Sequence, residues 1–416
     1  MGDAPLEGHE ILATVREELE TTKFIDIHTH LFMPLLGGLG LWGIDHLLTY
    51  HYLEAELFRS SGIAPEQYWR LPTSGKADLI WRTLFIENTP LSEASRGVVA
   101  VLEAFGLPTG SSDLTEAREF FARQDLPSHI RCVFELSGIS EVVMTNDPLD
   151  PEEAPYWERG VQRDPRFHPV MRLDRILTAW ADQAPILAAQ GYLVEAGAGT
   201  KTISELRRFL AYWHARMHPV YMAVSLPDTF QFPSQSATGL LLEEAVLPSC
   251  QELGLPLCLM IGVRRQVNPA LRLAGDASGN ADLRALERLC AGYPQHRFLV
   301  SVLSRENQHE LCVYARKFSN LMPFGCWWFL NNQSIVEDIT AERLEMLGTS
   351  FIPQHSDARV LEQLIYKWRN ARRTLAPILA DKYTLLSEDG RPVTRADIRR
   401  DVARLFRTNF ETFAGI

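Results

Sequence analysis

The chain has 416 residues, of which 46% are hydrophobic, 10% aromatic and 22% charged. That composition supports a large buried core and excludes a mostly disordered chain. The formal net charge is −11, so we expect no nucleic-acid partner. The six cysteines form no CxxC pair, and the first twenty residues lack the apolar stretch of a signal peptide. We therefore expect a soluble cytoplasmic protein with reduced thiols and no membrane partner.

Short apolar runs alternate with helical patterns along the chain, as in parallel sheets covered by helices. Eight runs predict strands, at residues 24–28, 141–145, 168–172, 220–225, 257–262, 298–303, 321–326 and 349–354. Periodicity predicts helices between or after them at 204–217, 240–253, 281–289, 306–318, 335–346, 359–379 and 395–410. Eight such units in series predict a (β/α)8 TIM barrel.

More than a hundred residues separate the first two predicted strands, which is too many for one crossover helix. We expect a mainly helical insertion there, with helices near 42–58 and 92–105. It leaves from the C-terminal end of the first strand, where barrel active sites are built, so we expect it to act as a lid. The predicted division is 1–30 for an N-terminal helix and the first strand, 31–138 for the insertion, 139–380 for the rest of the barrel and 381–416 for a C-terminal helical extension.

His28 and His30 flank Thr29 where the first predicted strand ends. Alternation along a strand turns both imidazoles to one face, into the mouth of the barrel. Neutral imidazole nitrogens are ligands for a divalent metal such as zinc, and Asp26, two residues earlier, is a candidate to orient them. A pair of strand-end histidines satisfied by ordinary hydrogen bonds is the alternative.

Asp357 follows the eighth predicted strand. In a closed barrel that strand lies beside the first one, so Asp357 can reach a metal held by His28 and His30. Two histidines and one carboxylate leave positions open for water or a substrate oxygen, as a catalytic metal requires. Asp357 could instead stabilise the start of the next helix, but Ser356 is the better capping candidate.

These strand-end residues resemble the amidohydrolase superfamily, and further segments resemble its uronate isomerase (glucuronate isomerase) branch. The segments are His51-Tyr52, Thr145-Asn146-Asp147-Pro148, Met171-Arg172-Leu173-Asp174, Gly325-Cys326-Trp327-Trp328-Phe329 and Asp357-Ala358-Arg359. The resemblance implies an aldose–ketose isomerase that interconverts D-glucuronate with D-fructuronate, or D-galacturonate with D-tagaturonate. In such a reaction a proton moves between C2 and C1 through a cis-enediol.

The resemblance also implies roles for individual residues. Asp357, Tyr52 and His28 are predicted to be catalytic, with Asp357 in proton transfer and Tyr52 at the enediolate oxygen. One divalent metal, zinc by preference, is predicted on His28, His30 and Asp357. The predicted substrate-binding residues are Arg359, which would hold the substrate carboxylate, and Arg172, His51, Trp327 and Trp328.

Ordinary packing is the alternative for several of these residues. Tyr52 lies in an aromatic run where a core tyrosine is common, and His51 could simply pack within the lid. Arg172 could pair with Asp174 instead of substrate. Consecutive strand-end residues point in opposite directions, so at least one of the two tryptophans is expected to be buried.

Two positions differ from the hydrolases of the superfamily, which generally have metal-binding histidines at the ends of strands five and six. Met260 and Ser301 stand there, which excludes a binuclear hydrolytic centre. Many uronate isomerases keep a histidine where Met260 stands, and Asp228 matches their acidic residue near strand four only with a shifted alignment. The identity of the C2/C1 proton shuttle is therefore left open.

Two other functions remain open from the sequence. One is a mononuclear metal-dependent hydrolase acting on a lactone or an amide, and the other is a catalytically silent barrel that binds a sugar acid. Arg172 and Arg359 favour the isomerase, and the intact set of His28, His30 and Asp357 argues against the silent barrel. The preferred uronate, the need for the metal and the formation of a homo-oligomer are also left open.

Overall fold

The strands are parallel and belong to a mixed α/β fold, in a computed structural model that describes residues 4–416. They are β1 (Phe24–Asp26), β2 (Ile139–Val143), β3 (Phe167–His168), β4 (Met171–Arg172), β5 (Met222–Pro227), β6 (Leu257–Arg264), β7 (Ala277–Ser278), β8 (Phe298–Val302) and β9 (Leu321–Pro323). One sheet has the order β1-β2-β3 and the other β4-β5-β6-β8-β9. The exception is β7, which pairs antiparallel with β6.

Helices fill most of the chain between and after the strands. In order they are α1 (Gly8–Thr21), α2 (Ile44–Leu48), α3 (His51–Ser61), α4 (Pro65–Trp69), α5 (Thr73–Trp81), α6 (Glu93–Ala104), α7 (Thr115–Ala122), α8 (Leu126–Ser137), α9 (Ala154–Glu158), α10 (Asp174–Thr178), α11 (Trp180–Ala189), α12 (Thr200–Met217), α13 (Ala237–Leu241), α14 (Leu247–Leu253), α15 (Arg284–Gly292), α16 (Gln308–Ala315), α17 (Gln333–Leu347), α18 (Gln363–Glu388), α19 (Arg395–Ala403) and α20 (Asn409–Ala414). Short π-helical turns at Arg82–Ile86, Leu242–Val246 and Arg404–Thr408 extend or join some of them. Of the helices within residues 4–416, none is long and apolar enough to cross a bilayer.

The central strands β6 and β8 are buried on both faces, as their nearly continuous apolar sequences predict. In β6 the side chains of Leu257, Leu259 and Ile261 join the large core that includes the helices. Cys258 and Met260, which point the other way, join a second apolar cluster on the opposite face of the sheet. The functional side chains lie beyond the carboxyl ends of these strands.

The third predicted strand is divided between the two sheets. Residues Phe167–His168 pair with β2, and Met171–Arg172 pair with β5. Pro169 lies between the two halves and has no N–H to donate, so the ladder is interrupted there. The eighth predicted strand is reduced to one bridge, from Ile352 to Phe324, and Pro353 follows that bridge directly.

The chain between β1 and β2 is mainly helical and runs from α2 to α8. The stretch predicted as helical at 42–58 contains two helices, because α2 ends at Leu48 and α3 begins at His51. Two helices of this stretch, α6 and α8, pack on the long helix α18 near the end of the chain. The start of α3 lies near the segment after β9, because the ring of His51 is 5.6 Å from that of Trp328.

Candidate active site

Two histidines and an aspartate meet just beyond the end of β1. Nε2 of His30 lies 3.4 Å and Nε2 of His28 lies 3.8 Å from Oδ1 of Asp357. Two ligands that are each about 2.1 Å from a tetrahedral zinc would be about 3.4 Å apart, so the spacing is that of a metal site. Oδ1 of Asp357 is also buried without a hydrogen-bond partner, and a cation would satisfy it. The donor set therefore fits a divalent metal.

The tautomer of His28 follows from its neighbour Tyr221. The Tyr221 hydroxyl lies 2.7 Å from the carbonyl oxygen of Ile27 and 3.2 Å from Nδ1 of His28. Its single proton is donated to the carbonyl, so Nδ1–H of His28 donates to the hydroxyl oxygen. Nε2 of His28 then keeps its lone pair, and this is the atom that faces Asp357.

Both imidazoles of the cluster are neutral. Burial lowers the pKa of His28 to about 3, and it lowers the pKa of His30 well below its ordinary value. Nδ1 of His30 lies 2.9 Å from Oγ1 of Thr145, a contact that fixes the orientation of the ring. Neutral imidazole is the form that binds a metal.

Asp26 contacts the backbone around the cluster and not the imidazoles, contrary to the expectation that it orients them. Because β1 ends at Asp26, strand alternation does not extend to His28. Oδ1 of Asp26 accepts a hydrogen bond from the N–H of Ser356 at 3.1 Å, and Oδ2 accepts one from the indole N–H of Trp368 at 2.8 Å. Burial raises the pKa of Asp26 to about 6. Asp26 thereby joins β1 to the segment that carries Asp357.

The backbone of Asp357 is left-handed, with φ of 54°. Aspartate tolerates that region better than most residues do. The N–H of Asp357 donates to the carbonyl of His28 at 3.2 Å, and the N–H of His30 donates to the carbonyl of Ala358 at 2.7 Å. Oγ of Ser356 accepts from the N–H of Ala358, so Ser356 shapes this turn and does not cap a helix as the sequence predicted.

His355 is a buried neighbour of the cluster to which sequence reasoning gave no role. Its ring centroid lies 5.5 Å from that of His28, and neither of its ring nitrogens has a hydrogen-bond partner. Burial lowers the pKa of His355 to about 3. Gly325 faces the ring with φ of 62°, and a Cβ there would lie 1.8 Å from Nδ1 of His355. Only glycine fits at this position.

A cavity of about 1000 Å³ opens beside the cluster, with His30 and Thr145 in its wall. That volume suits a small polar ligand. The basic side chains of the wall are Arg172, Arg175, Arg264, Arg265 and Arg359.

Four of these arginines face an aspartate. Arg172 donates two parallel hydrogen bonds to Asp174, at 2.9 and 3.0 Å, which is the pairing that the sequence left open as an alternative to substrate binding. The other pairs are Arg175 with Asp147 at 3.0 Å, Arg264 with Asp228 at 3.8 Å, and Arg265 with Asp276 at 2.6 Å.

Arg359 is different. Within residues 4–416 its guanidinium has no ion pair with an acidic side chain, and its Nε is buried without a hydrogen-bond partner. Its backbone N–H donates to Oε1 of Gln363 at 2.8 Å, which anchors the residue at the start of α18. The cavity therefore contains one basic fork available for a ligand.

The lid residues predicted from the sequence start helix α3. The ring of His51 lies 5.6 Å from that of Trp328, and Nε2 of His51 is buried without a partner. Tyr52 borders a separate cavity of about 290 Å³, together with Trp328 and Phe329. Trp327 and Trp328 are both buried, where the sequence required burial of at least one.

The structure therefore places Arg172 and Arg359 on the same cavity as His30, and Tyr52 on another. Sequence reasoning missed Tyr221, which fixes the tautomer of His28, and Arg265, which lies on the cavity wall. The signal for Arg265 was its place in a pair of arginines that follows the fifth predicted strand. Tyr221 gave a weaker signal, as one polar aromatic residue inside an apolar run.

Met260 and Ser301 lie side by side where a second metal would need ligands. They are paired in register between β6 and β8, and both are buried. Within residues 4–416 no other group of three side chains with suitable ligand atoms was found. The exclusion of a binuclear centre stays a prediction.

Comparison with solved structures identifies the family. A uronate isomerase from Bacillus halodurans C-125 is 47% identical to this chain with a TM-score of 0.97, and the match covers 99% of this chain and 98% of that one. This chain belongs to the uronate isomerase family. The family predicted from the strand-end residues is thereby confirmed.

Two more distant structures share the fold of this uronate isomerase family member. A uronate isomerase from Thermotoga maritima has 15% identity and a TM-score of 0.78, covering 99% of this chain and 98% of that one. A glucuronate isomerase from Caulobacter crescentus has 14% identity and a TM-score of 0.68, and the match covers 98% of this chain and 94% of that one. No protein-family model and no curated protein matches the chain.

Proposed function

We propose that this member of the uronate isomerase family interconverts aldohexuronates and ketohexuronates. The substrates are D-glucuronate and D-fructuronate, or D-galacturonate and D-tagaturonate, with proton transfer between C2 and C1 through a cis-enediol. The observation that carries this proposal is the unpaired guanidinium of Arg359, in a cavity whose other arginines each face an aspartate. The C6 carboxylate of a uronate supplies the missing partner.

Arg359 acts in this proposal as the carboxylate clamp. Guanidinium and carboxylate make two parallel charge-assisted hydrogen bonds, so the clamp fixes direction as well as charge. The contact from its backbone to Gln363 holds the base of the side chain. With C6 held, C1 and C2 are positioned near the histidine–aspartate cluster, and this positioning lowers the entropic part of the barrier. Arg172 is proposed to contact a sugar oxygen while it remains paired with Asp174.

His28, His30 and Asp357 are proposed to hold one divalent metal, with zinc as the first candidate. Their spacing, the neutral imidazoles and the unpartnered Oδ1 of Asp357 support this set. When bound, such a metal supplies Lewis-acid polarisation of a sugar oxygen. Isomerisation consumes no water, so turnover is not expected to depend strictly on the metal.

Asp357 is proposed as the acid–base group for ring opening and for the C2/C1 proton, with His28 beside it. Tyr52 is proposed to donate its hydroxyl proton to the enediolate oxygen. Burial raises the pKa of Tyr52 well above its ordinary value, so the hydroxyl stays protonated at neutral pH. Tyr52 is within electrostatic reach of Asp357, and closure of the lid is proposed to bring its hydroxyl to the substrate. His51, Trp327 and Trp328 are proposed as substrate contacts in the closed state.

We also propose that the two sheets belong to one closed (β/α)8 barrel. An isolated parallel bridge connects residue 146 after β2 to residue 171 in β4, so the two sheets meet there. Another connects residue 324 after β9 to residue 352. The N–H of Asp357 then donates to the carbonyl of His28, which brings the end of the series back beside β1. These contacts are the ones that closure requires.

A cytoplasmic place in hexuronate breakdown is proposed on chemical grounds. All six cysteines are free thiols, which suits a reducing compartment. The proposed partner is the small hexuronate itself, without nucleic acid or membrane, and a homo-oligomer stays a prediction.

The test is incubation of the purified protein with each hexuronate in D2O, monitored by NMR. We expect the aldose signals to be replaced by those of the 2-ketose, with no change in mass beyond deuterium exchange. Release of acid from a lactone or amide with no aldose–ketose conversion would reject the isomerase proposal and support the hydrolase.

A further inference from the structure

A lysine–glutamate pair is buried behind Tyr52. Nζ of Lys367 on α18 lies 2.9 Å from Oε1 of Glu93 on α6, and only 4% of Lys367 is exposed. The same Nζ lies 5.6 Å from the centroid of the Tyr52 ring and 5.1 Å from that of Tyr366. Both distances are within the range of a cation–π interaction. One ammonium group therefore contacts the lid helix α6 and the ring of the predicted catalytic tyrosine.

The close approach of α6 to α18 depends on Gly97. A Cβ at Gly97 would lie 2.6 Å from the ring of Tyr366, so a larger residue would push the two helices apart. Glu93 lies four residues before Gly97, on the same face of α6, and Lys367 directly follows Tyr366. The close contact of Gly97 with Tyr366 therefore lies one helical turn from the ion pair.

Stability alone is a poor explanation for this pair. A buried ion pair is often no more stabilising than apolar residues of similar volume, because both charges lose their hydration. The ammonium can, however, make a cation–π interaction with the face of a phenol ring. The strength of that interaction depends on the orientation of the ring. Glu93 also borders the same cavity as Tyr52, so both sides of the pair adjoin the tyrosine.

We propose that Lys367, held in place by Glu93, is a positioning residue that fixes the ring of Tyr52 for its part in the isomerisation. This rests on the catalytic role proposed above for Tyr52. The lysine touches no substrate. It acts through the face of the ring, and it determines where the hydroxyl points when the lid meets the substrate.

The experiment compares kcat and KM for a hexuronate in wild type, Lys367→Met, and the double variant Lys367→Met/Glu93→Gln, which leaves no buried charge unpaired. We expect kcat to fall about 10- to 100-fold in both, the range for a misplaced reacting group, with KM within about twofold. Lys367→Arg, which keeps a cation over the ring, should recover most of the loss. Lys382→Met is the control, because Lys382 lies on the same helix and pairs with Glu345.

The decisive arm repeats Lys367→Met in a Tyr52→Phe background. If the lysine acts through the tyrosine hydroxyl, it should cause no further loss of kcat there. Two results would overturn the positioning role and leave the proposed function intact. One is an equal loss of kcat from Lys367→Met in the wild-type and Tyr52→Phe backgrounds. The other is wild-type kcat in folded Lys367→Met/Glu93→Gln. Wild-type turnover by Tyr52→Phe alone would remove the catalytic role of Tyr52 and the positioning role with it. Absence of hexuronate turnover in wild type would instead reject the proposed function.

Discussion

Oδ1 of Asp357 lies 3.4 Å from Nε2 of His30, although the two residues come from opposite ends of the chain. The carboxylate oxygen has no hydrogen-bond donor, and in the tautomer that donates from Nδ1 to Oγ1 of Thr145 at 2.9 Å the neutral imidazole leaves Nε2 as an acceptor. Two acceptors at this distance repel each other unless a cation lies between them. The proposed metal accounts for this arrangement, and the spacing predicts that it binds between these two atoms.

We expect purified protein to contain close to one divalent metal per chain. His30→Ala and Asp357→Asn should each lower this content strongly, because each removes one of three ligands. His46→Ala is the control, since His46 lies on α2 outside the cluster. Elemental analysis of the four proteins is the measurement. A content near two, or one that the ligand variants leave unchanged, would contradict the mononuclear site.

Tyr52→Phe should lower kcat by roughly 100-fold or more, because it deletes one proton donor, and leave Tm unchanged, because the ring is kept. Tyr68→Phe gives the opposite pattern. The Tyr68 hydroxyl donates to Oε1 of Glu54 at 2.9 Å within the insertion, so its loss should lower Tm and spare kcat. Steady-state rates and thermal melts separate the two cases. Wild-type turnover in Tyr52→Phe would return that residue to a packing role.

The substitution Glu153→Gln should change how stability depends on pH. Glu153 accepts hydrogen bonds from the indole N–H of Trp157 at 2.8 Å and from the N–H of Asp147 at 3.0 Å, and burial raises its pKa to about 7. A raised pKa in the folded state gives stability that is present below the unfolded pKa, about 4.3, and lost as pH rises through the folded pKa. The loss for wild type is roughly 3 kcal/mol.

Urea unfolding of wild type and Glu153→Gln at pH 4.5, 6 and 8 measures this effect. The free energy of unfolding of the variant, relative to that of wild type, should rise by about 3 kcal/mol from pH 4.5 to pH 8. Glu158→Gln, at the exposed end of the helix α9 that Glu153 precedes, should show no such trend. A constant difference between wild type and Glu153→Gln would show that Glu153 titrates as an ordinary carboxyl group.

The meeting of His28, His30 and Asp357 could be predicted from the sequence because these residues leave local signals. His28 and His30 are two residues apart at the end of a strand, and Asp357 follows the last apolar run. The parallel α/β fold was equally visible in the apolar runs. The division of the third strand was not, because it depends on Pro169 and on which neighbour each half meets.

The ion pairs of the arginines in the cavity wall could not be predicted in the same way. Sequence context gives no partner for either arginine: Arg172 ends the third predicted strand, and Arg359 lies five residues after the eighth. Only the fold shows that Asp174 occupies the guanidinium of Arg172 and that no acidic side chain in residues 4–416 pairs with that of Arg359. The same holds for Asp26, whose partners Ser356 and Trp368 come from the far end of the chain.

The carboxylate clamp predicts a specific loss in Arg359→Lys. Lysine keeps the charge but loses the planar fork, so kcat/KM for a hexuronate should fall about 10- to 1000-fold in a folded protein. Arg175→Lys is the matched control, since Arg175 lies on the same cavity wall and is already paired with Asp147 and Asp150. It should lose much less.

The most direct test compares D-galacturonate with D-galactose, which lacks the C6 carboxylate, in wild type and Arg359→Lys. The measured quantity is kcat/KM for aldose-to-ketose conversion. We predict strong preference for the uronate in wild type, a large loss of that preference in the variant, and little change for the neutral sugar. Equal turnover of both sugars by wild type, or an unchanged preference in Arg359→Lys, would contradict the assignment of Arg359 as the group that recognises a uronate.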